Sequence, residues 1–449
     1  MSGMPWRGRS AGVLLHLTSL PPGDGFVQAR RFGERIAKAG LTVWQILPLG
    51  PSARGRNPFA PASAFAADPA FAPAMRAIDR AAYARYRECN ADWLDDWALF
   101  AALKAAHRGA GWWRWPKGLR RRDPAALSAA KRRLAGRIER ARLAQYRFDA
   151  AWSKLRRALA ARGVRLFGDV PLYVARDSAD VWSHPELFEV EGDGRLIAST
   201  GVPPDAFSAG GQLWGHPPYR WREMAASGFG WWKRRFQVQA ARHDLLRIDH
   251  FRGMVAWWRV PPGARDAAGG AWVRGPGRAA IDALGPVLGN VRLVAEDLGV
   301  VTRNVVSLRR ELGLPGMRVL QFAFDGGRNN PHLPAHHGPD TVCYTGTHDN
   351  DTTLGWWRGL SRAGRSAVAR ALGEAHPDMP RALVDLAWSS PAPLAIVPLQ
   401  DLLGLGREAR MNRPGRAGGN WRWSFRWSGW PDDLESRTRA ALARHGRLR

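Results

Sequence analysis

Short apolar runs recur along the whole chain, each closed by polar, glycine or proline residues. They are VLLHL (13–17), VWQILPL (43–49), VRLFGDVPL (164–172), LLRIDHF (245–251), VRLVAEDLG (291–299), MRVLQFAF (317–324), TVCYTGTHDN (341–350) and LAIVPLQDLLG (394–404). Their apolar cores are continuous rather than alternating, as in strands covered on both faces. Between most of them lie stretches with the three- and four-residue spacing of helices, such as ARRFGERIAKAG (29–40), YRFDAAWSKLRRALAARG (146–163) and TRNVVSLRRELG (302–313). Alternating strands and helices predict a parallel sheet, and eight strands predict a closed (β/α)8 barrel of the TIM type. A doubly wound open sheet is the alternative, but no GxGxxG or GxxxxGK[ST] loop supports it.

The spacing of the runs is uneven. Residues 51–163 separate the second run from the third, and much of that segment is rich in alanine and arginine in a helical pattern. It reads as a mainly helical insertion subdomain on one catalytic barrel spanning 1–449. Residues 173–244 form a second long insertion, which contains GVPPDAFSAGGQLWGHPPYRW (201–221). So long an irregular stretch in a compact domain is usually functional.

The polar residues that close the runs carry the candidate chemistry. The third run ends in Asp169, the fourth in Asp249, the fifth in Glu296 and Asp297, and the seventh in Thr347-His348-Asp349-Asn350-Asp351. An apolar strand that delivers an acid carries a desolvation penalty unless the acid is paired or used. Singly, each has an ordinary explanation: Asp249 as an ion-pair partner of Arg247 or Arg252, Glu296 as an acid at a helix start, THDND as a capped turn, His348 as a core histidine. Together they converge on the barrel face where active sites are built. Convergent carboxylates fit either a divalent metal bound by oxygen or glycoside cleavage by a nucleophile and a general acid. Arg247 and His250 beside Asp249 favour the second, because a neighbouring cation favours the ionised carboxylate that a nucleophile needs. The residues alone do not choose between Glu296 and Asp297, or between Asp349 and Asp351.

Charge changes this picture little. The 449 residues carry 67 basic and 39 acidic side chains, a net charge of +28. The excess is spread along the chain, and only six of the basic residues are lysine, so it reads as a bias towards arginine rather than a nucleic-acid surface; no nucleic-acid-binding motif accompanies it. The 23 tryptophans cluster in GWWRWP (111–116), GWWKRRF (230–236) and NWRWSFRWSGWPDD (420–433). Most read as core, and a minority as candidates to stack on sugar rings. Cys89 and Cys343 have no metal or disulfide spacing. No run of eighteen apolar residues predicts a membrane span. The N-terminal stretch reads as a first strand rather than a signal peptide, so the expected compartment is the cytoplasm.

With these motifs in place, the chain resembles the 4-α-glucanotransferases, or amylomaltases, of glycoside hydrolase family 77. The resemblance runs from GVLLHLTSLP (12–21) to PGRAGGNWRW (414–423) through WQILPLGP (44–51), GDVPLYVARDSADVW (168–182), LLRIDHFRG (245–253), VAEDLGVVT (294–302), YTGTHDNDTTLGWW (344–357) and PLQDLLGLGREARMN (398–412). It implies transfer of α-1,4-glucan segments between maltooligosaccharides by a retaining double displacement, without cofactor or metal. It implies that Asp249 is the nucleophile, Glu296 the general acid and base, and Asp349 a third carboxylate gripping the hydroxyls of the sugar being cleaved. Asp169, Arg247 and His348 match residues that hold that sugar. Gln212 and Trp214 fall in a loop, 201–217, similar to one that arches over the family's cleft and shapes its acceptor side. Phe59, in RNPFAPASAFA (56–66), stands where the family usually has a stacking tyrosine. The stretch from Pro69 to Trp93 is shorter than is usual, and Ala206 replaces a common aromatic. An α-glucan hydrolase of related fold and a weakly active glucan-binding protein are the rival readings.

Overall fold

The apolar runs become eight parallel strands closed into a ring. The computed structural model describes residues 8–53, 55–74, 77–204, 208–416 and 418–448. Among the described residues the barrel strands are Ser10–Leu14, Val43–Gln45, Arg165–Val170, Leu245–Ile248, Arg292–Ala295, Gly316–Val319, Thr341–Tyr344 and Leu394–Pro398, neighbours in that order. The first strand closes the ring on the eighth, with Ser10 opposite Leu394 and Leu14 opposite Pro398. That strand begins three residues before the run VLLHL. Its opening Ser10-Ala11-Gly12 is too small to register as apolar, and smallness is what the site requires: a Cβ on Gly12 would lie 2.8 Å from the Val43 carbonyl of the next strand.

Inside the ring, Leu14, Phe167, Leu245, Val294, Met317 and Ile396 pack into one core. The outward faces of the strands meet the surrounding helices. Helix Gly25–Lys38, capped by Asp24, covers the first two strands with the 26-residue helix Ala135–Ala160. From the latter, buried Trp152 donates its indole N–H to the Arg242 carbonyl at 2.8 Å. Helices Arg80–Cys89, Ala91–Ala106, Lys117–Arg120 and Pro124–Arg133, with short turns such as Trp112–Arg114, also lie between the second and third strands. Their core holds Trp93, Trp97, Trp112 and Trp115, so these tryptophans are structural. Cys89 is exposed and Cys343 buried. No helix among the described residues is long and apolar enough to cross a membrane.

A four-stranded antiparallel sheet was not legible in the sequence. Its order is Gln212–Leu213, Ser199–Val202, Ala256–Val260, Ala271–Arg274. Strands of two to five residues are too short for alternation to stand out, and two of them lie in the insertion that reads as irregular. The sheet's third strand follows the fourth barrel strand in the chain, and Gln212 lies on one edge.

Two arginines seal the opposite end of the barrel. Arg447 is fully buried and donates to four carbonyls: Trp388 (2.6 Å), Ser10 (2.7 Å), Ser390 (2.6 Å) and Ala392 (2.9 Å). Arg9 adds bonds to the His445 and Trp388 carbonyls, both at 2.7 Å. Burial and the neighbouring Arg9 charge pull the Arg447 pKa down to about 9, which still leaves it charged at neutral pH. Arg447→Met would take this donor from all four carbonyls; Trp388 and Ser390 keep Arg9, while Ser10 and Ala392 lose their side-chain donor, at about 1–3 kcal/mol each before relaxation. We expect it to destabilise the fold by roughly 3–5 kcal/mol. Guanidinium denaturation checks this, and an unchanged midpoint would refute it.

Candidate active site

Arg247 organises the mouth of the barrel. It lies on the fourth strand with its guanidinium buried and forked between two acids. One Nη donates to both Asp169 oxygens at 2.8 and 2.7 Å, and the other meets Asp249 Oδ1 at 2.8 Å. Its Nε points at Met317 Sδ, 3.4 Å away. Asp169 is in register with Arg247 on the adjacent strand, so parallel pairing brings them together. The Asp169 side chain is fully sealed, whereas that of Asp249 is 26% exposed. Burial lowers the Arg247 pKa, but Asp169, Asp249 and Glu296 outweigh it and carry the group above the usual arginine range. Burial pushes Asp169 up, to about 7, against the pull of Arg247.

Glu296 follows the fifth strand, and its carboxylate is held by the chain of its neighbours. The His250 backbone N–H donates to Oε2 at 2.8 Å and the Leu298 N–H to Oε1 at 3.0 Å. His250 reaches that position in the left-handed region, at φ 50°, a conformation costing a non-glycine residue about 1 kcal/mol or more. The residue after Asp249 is therefore strained into place to hold Glu296. Burial pushes the Glu296 pKa up, to about 8; Arg247 opposes the rise and Asp249 adds to it. Asp297 turns away. It is buried, accepts the Met317 N–H at 2.7 Å, and pairs with Arg309 at 3.2 Å and Arg318 at 3.3 Å. The structure thus separates an acid facing the mouth from one that ties two strands.

The seventh strand end makes the same separation. Asp349 is 46% exposed at its side chain, with Oδ1 accepting from Asn412 Nδ2 at 2.6 Å and lying 3.5 Å from His348 Nε2. Asp351 is inside the turn, bound to Arg407 at 2.7 Å and to the Thr352 N–H at 3.0 Å. His348 is buried, and burial lowers its pKa. Phe59 stacks on its ring, with centroids 4.8 Å apart and 14° between planes, and Trp421 tilts against both. Trp214 comes edge-on to His250 at 4.8 Å and donates its indole N–H to Gln212 Oε1 at 3.3 Å. Ala206 lies outside the described residues.

The structure therefore gathers Asp169, Arg247, Asp249 and Glu296 around one guanidinium. It joins His348, Asp349 and Phe59 in a second group, and places Trp214, bonded to Gln212, against His250. Several supporting residues were not anticipated. Asn412 bonds Asp349, and Arg410 donates to the Asp349 carbonyl at 2.8 Å. Buried Asp401 accepts from the Thr345 and Thr353 hydroxyls at 2.6 and 2.7 Å, clamping both ends of the turn that bears His348 and Asp349. Arg410 and Asn412 lie in the polar run REARMN after the eighth strand, where a barrel builds its site, but nothing local marks their partners, and nothing there marks Asp401. Among the described residues, no three His, Cys, Asp or Glu side chains are grouped as they would be around a metal ion.

Comparison with known proteins finds close likenesses. The glycoside hydrolase family 77 model, described as 4-alpha-glucanotransferase, matches residues 71–430. The 4-alpha-glucanotransferase of Thermus thermophilus is 43% identical, over 92% of this chain and 94% of its own. That of Synechocystis sp. is 41% identical, over 95% of both chains. Among solved structures, the amylomaltase of Streptococcus agalactiae in complex with acarbose superimposes with a TM-score of 0.92 at 28% identity, covering 98% of this chain and 100% of that one.

Proposed function

We propose, from the premise that this chain belongs to the 4-alpha-glucanotransferase family, that it moves α-1,4-glucan segments from donor to acceptor maltooligosaccharides by double displacement. One observation supports the mechanism most: two neighbouring carboxylates sit in opposed environments, Asp249 against the Arg247 guanidinium and Glu296 lifted to about 8 by burial. A carboxylate bound to a cation, beside a second carboxyl kept protonated by burial, is a nucleophile and an acid in waiting.

In the first half-reaction, Asp249 Oδ2 attacks the anomeric carbon while Oδ1 stays on Arg247. The glycosidic C1–O4 bond breaks, and Glu296 gives its proton to the departing oxygen. The product is a glucosyl ester of Asp249. A second glucan then enters, Glu296 takes the proton from its 4-hydroxyl, and that oxygen displaces Asp249 with net retention. Such a mechanism places the two carboxyl groups about 5–5.5 Å apart. Asp349, oriented by Asn412, and His348 grip the hydroxyls of the reacting sugar. Asp169 holds Arg247 in place from the sealed side. Trp214 over His250 screens the intermediate from water, favouring a sugar acceptor. The whole chain serves as one catalytic barrel, with 51–163 and 173–244 as its insertions. A cytoplasmic location is part of the same proposal, and cell fractionation checks it.

Incubation of the protein with maltotriose, followed by size separation, tests the reading. Glucose with a ladder of longer maltooligosaccharides is expected. Glucose and maltose with nothing longer would make it a hydrolase.

Phe59 offers a finer test. Its ring supplies a stacking face, already aligned by His348, but no hydroxyl. Phe59→Ala should lower kcat/KM on maltotriose about threefold to tenfold, the size of one lost aromatic contact. Phe59→Tyr should raise it above the natural protein. A tyrosine variant no better than phenylalanine would show that the hydroxyl contributes nothing here.

A further inference from the structure

Resting on the glucan-transfer reading, we infer that Trp272 and Trp258 form an aromatic platform that binds the far part of a long α-glucan, outside the site where bonds are made. The antiparallel sheet sets the two rings side by side. In its register Leu213 lies opposite Gly201, Gly201 opposite Trp258, and Trp258 opposite Trp272. Directly paired residues share one face of a sheet, so these four form a single row across it. The row is apolar and open at its ends: Leu213 is 40% exposed and Trp272 39%. Gly201 in its middle is buried and carries no side chain, because a Cβ there would overlap the Gln212 carbonyl. Trp258 meets Trp272 edge-to-face at 5.0 Å, its indole N–H fixed on the Ala267 carbonyl at 2.8 Å.

The row is tied to the catalytic loops at one end and to the covering loop at the other. Arg252, three residues beyond Asp249, lays its guanidinium over the Trp272 ring at 3.6 Å and donates to the Val300 carbonyl at 2.7 Å. Val300, four residues beyond Glu296, is itself exposed. Arg252 Nε is buried with no protein acceptor. At the opposite edge, Gln212 and Leu213 lead into Trp214, which covers His250.

This combination has a chemistry. Flat aromatic faces match the apolar faces of pyranose rings, and the Arg252 guanidinium packed on Trp272 fixes the orientation of that ring. A row of spaced apolar faces suits a repeating chain better than a single small sugar. The occupant is therefore a glucan long enough to leave the cleft, and the platform favours long donors or acceptors over short ones.

Trp272→Ala and Trp272→Phe test this, as the exposed side chain leaves the core intact; thermal unfolding confirms equal stability. Native electrophoresis in a gel containing amylose should retard the natural protein more than Trp272→Ala, with Trp272→Phe between them. The KM penalty of Trp272→Ala should grow with chain length, reaching about threefold to tenfold on maltoheptaose. Equal retardation of all three proteins, or a penalty independent of chain length, overturns the platform while maltotriose disproportionation leaves the transferase reading standing. A natural protein neither retarded by amylose nor active on maltotriose overturns both.

Discussion

Asp249→Asn is expected to erase the maltotriose ladder. The carboxylate supplies the bond that carries the glucosyl group between donor and acceptor, and an amide oxygen is too poor a nucleophile to replace it. Removing a covalent nucleophile from an otherwise intact site lowers kcat by a factor on the order of 10⁴ to 10⁶. The fold should survive, because Arg247 keeps its paired contacts with Asp169 at 2.8 and 2.7 Å. Product analysis with a fluorescently tagged acceptor reads this loss with enough range to see a residual 10⁻⁴. Activity within tenfold of the natural protein would mean that another group attacks the sugar.

Glu296→Gln is expected to fail differently. A protonated Glu296 must deliver its proton before an unactivated sugar can leave, and losing a general acid slows that step by about 10²- to 10⁴-fold. Because burial sets the Glu296 pKa at about 8, the natural protein should hold its donor kcat/KM up to slightly alkaline pH. The sign follows from the working form. The proton is present below about 8 and absent above it, so the rate falls as pH rises through that value, roughly tenfold per further unit. Glu296→Gln should lose this alkaline limb altogether. A donor whose leaving group needs no proton, such as α-glucosyl fluoride, should restore formation of the glucosyl-enzyme in Glu296→Gln but not in Asp249→Asn. A limb that persists in Glu296→Gln would assign the titration to another group, with Asp169 next in line.

The contrast between these two acids and their discarded neighbours shows what a sequence does and does not carry. The barrel was legible because strands buried on both faces leave continuous apolar runs, and eight such runs leave few architectures. The acids were legible as a set because each closes a strand. Choosing within Glu296-Asp297 or Asp349-Asn350-Asp351 was not, since the choice rests on which way a side chain turns, and that is decided by Arg309, Arg318 and Arg407, far off in the chain. Family resemblance supplied the choice that local chemistry withheld. Asn412 and Asp401 stayed hidden for the same reason: a hydrogen bond across fifty or sixty residues leaves no periodicity to find. The small antiparallel sheet was invisible because its strands are shorter than the window in which a pattern can be told from chance.

The ring closed by Ser10 and Leu394 also bears on how the chain is made. From 10 to 394 is 384 positions. At about 5–20 residues per second on a ribosome, the first strand waits roughly 20–80 seconds for the strand that covers its far edge. Until then it can pair with the second strand only, and the growing sheet offers a bare edge to any other strand in the vicinity. Synthesis, not chemistry, is then the stage at which this protein is most exposed to misassembly. A circular permutant opened between two barrel strands other than the first and eighth would move that bare edge elsewhere, and its soluble yield in cells would report which edge is the more dangerous.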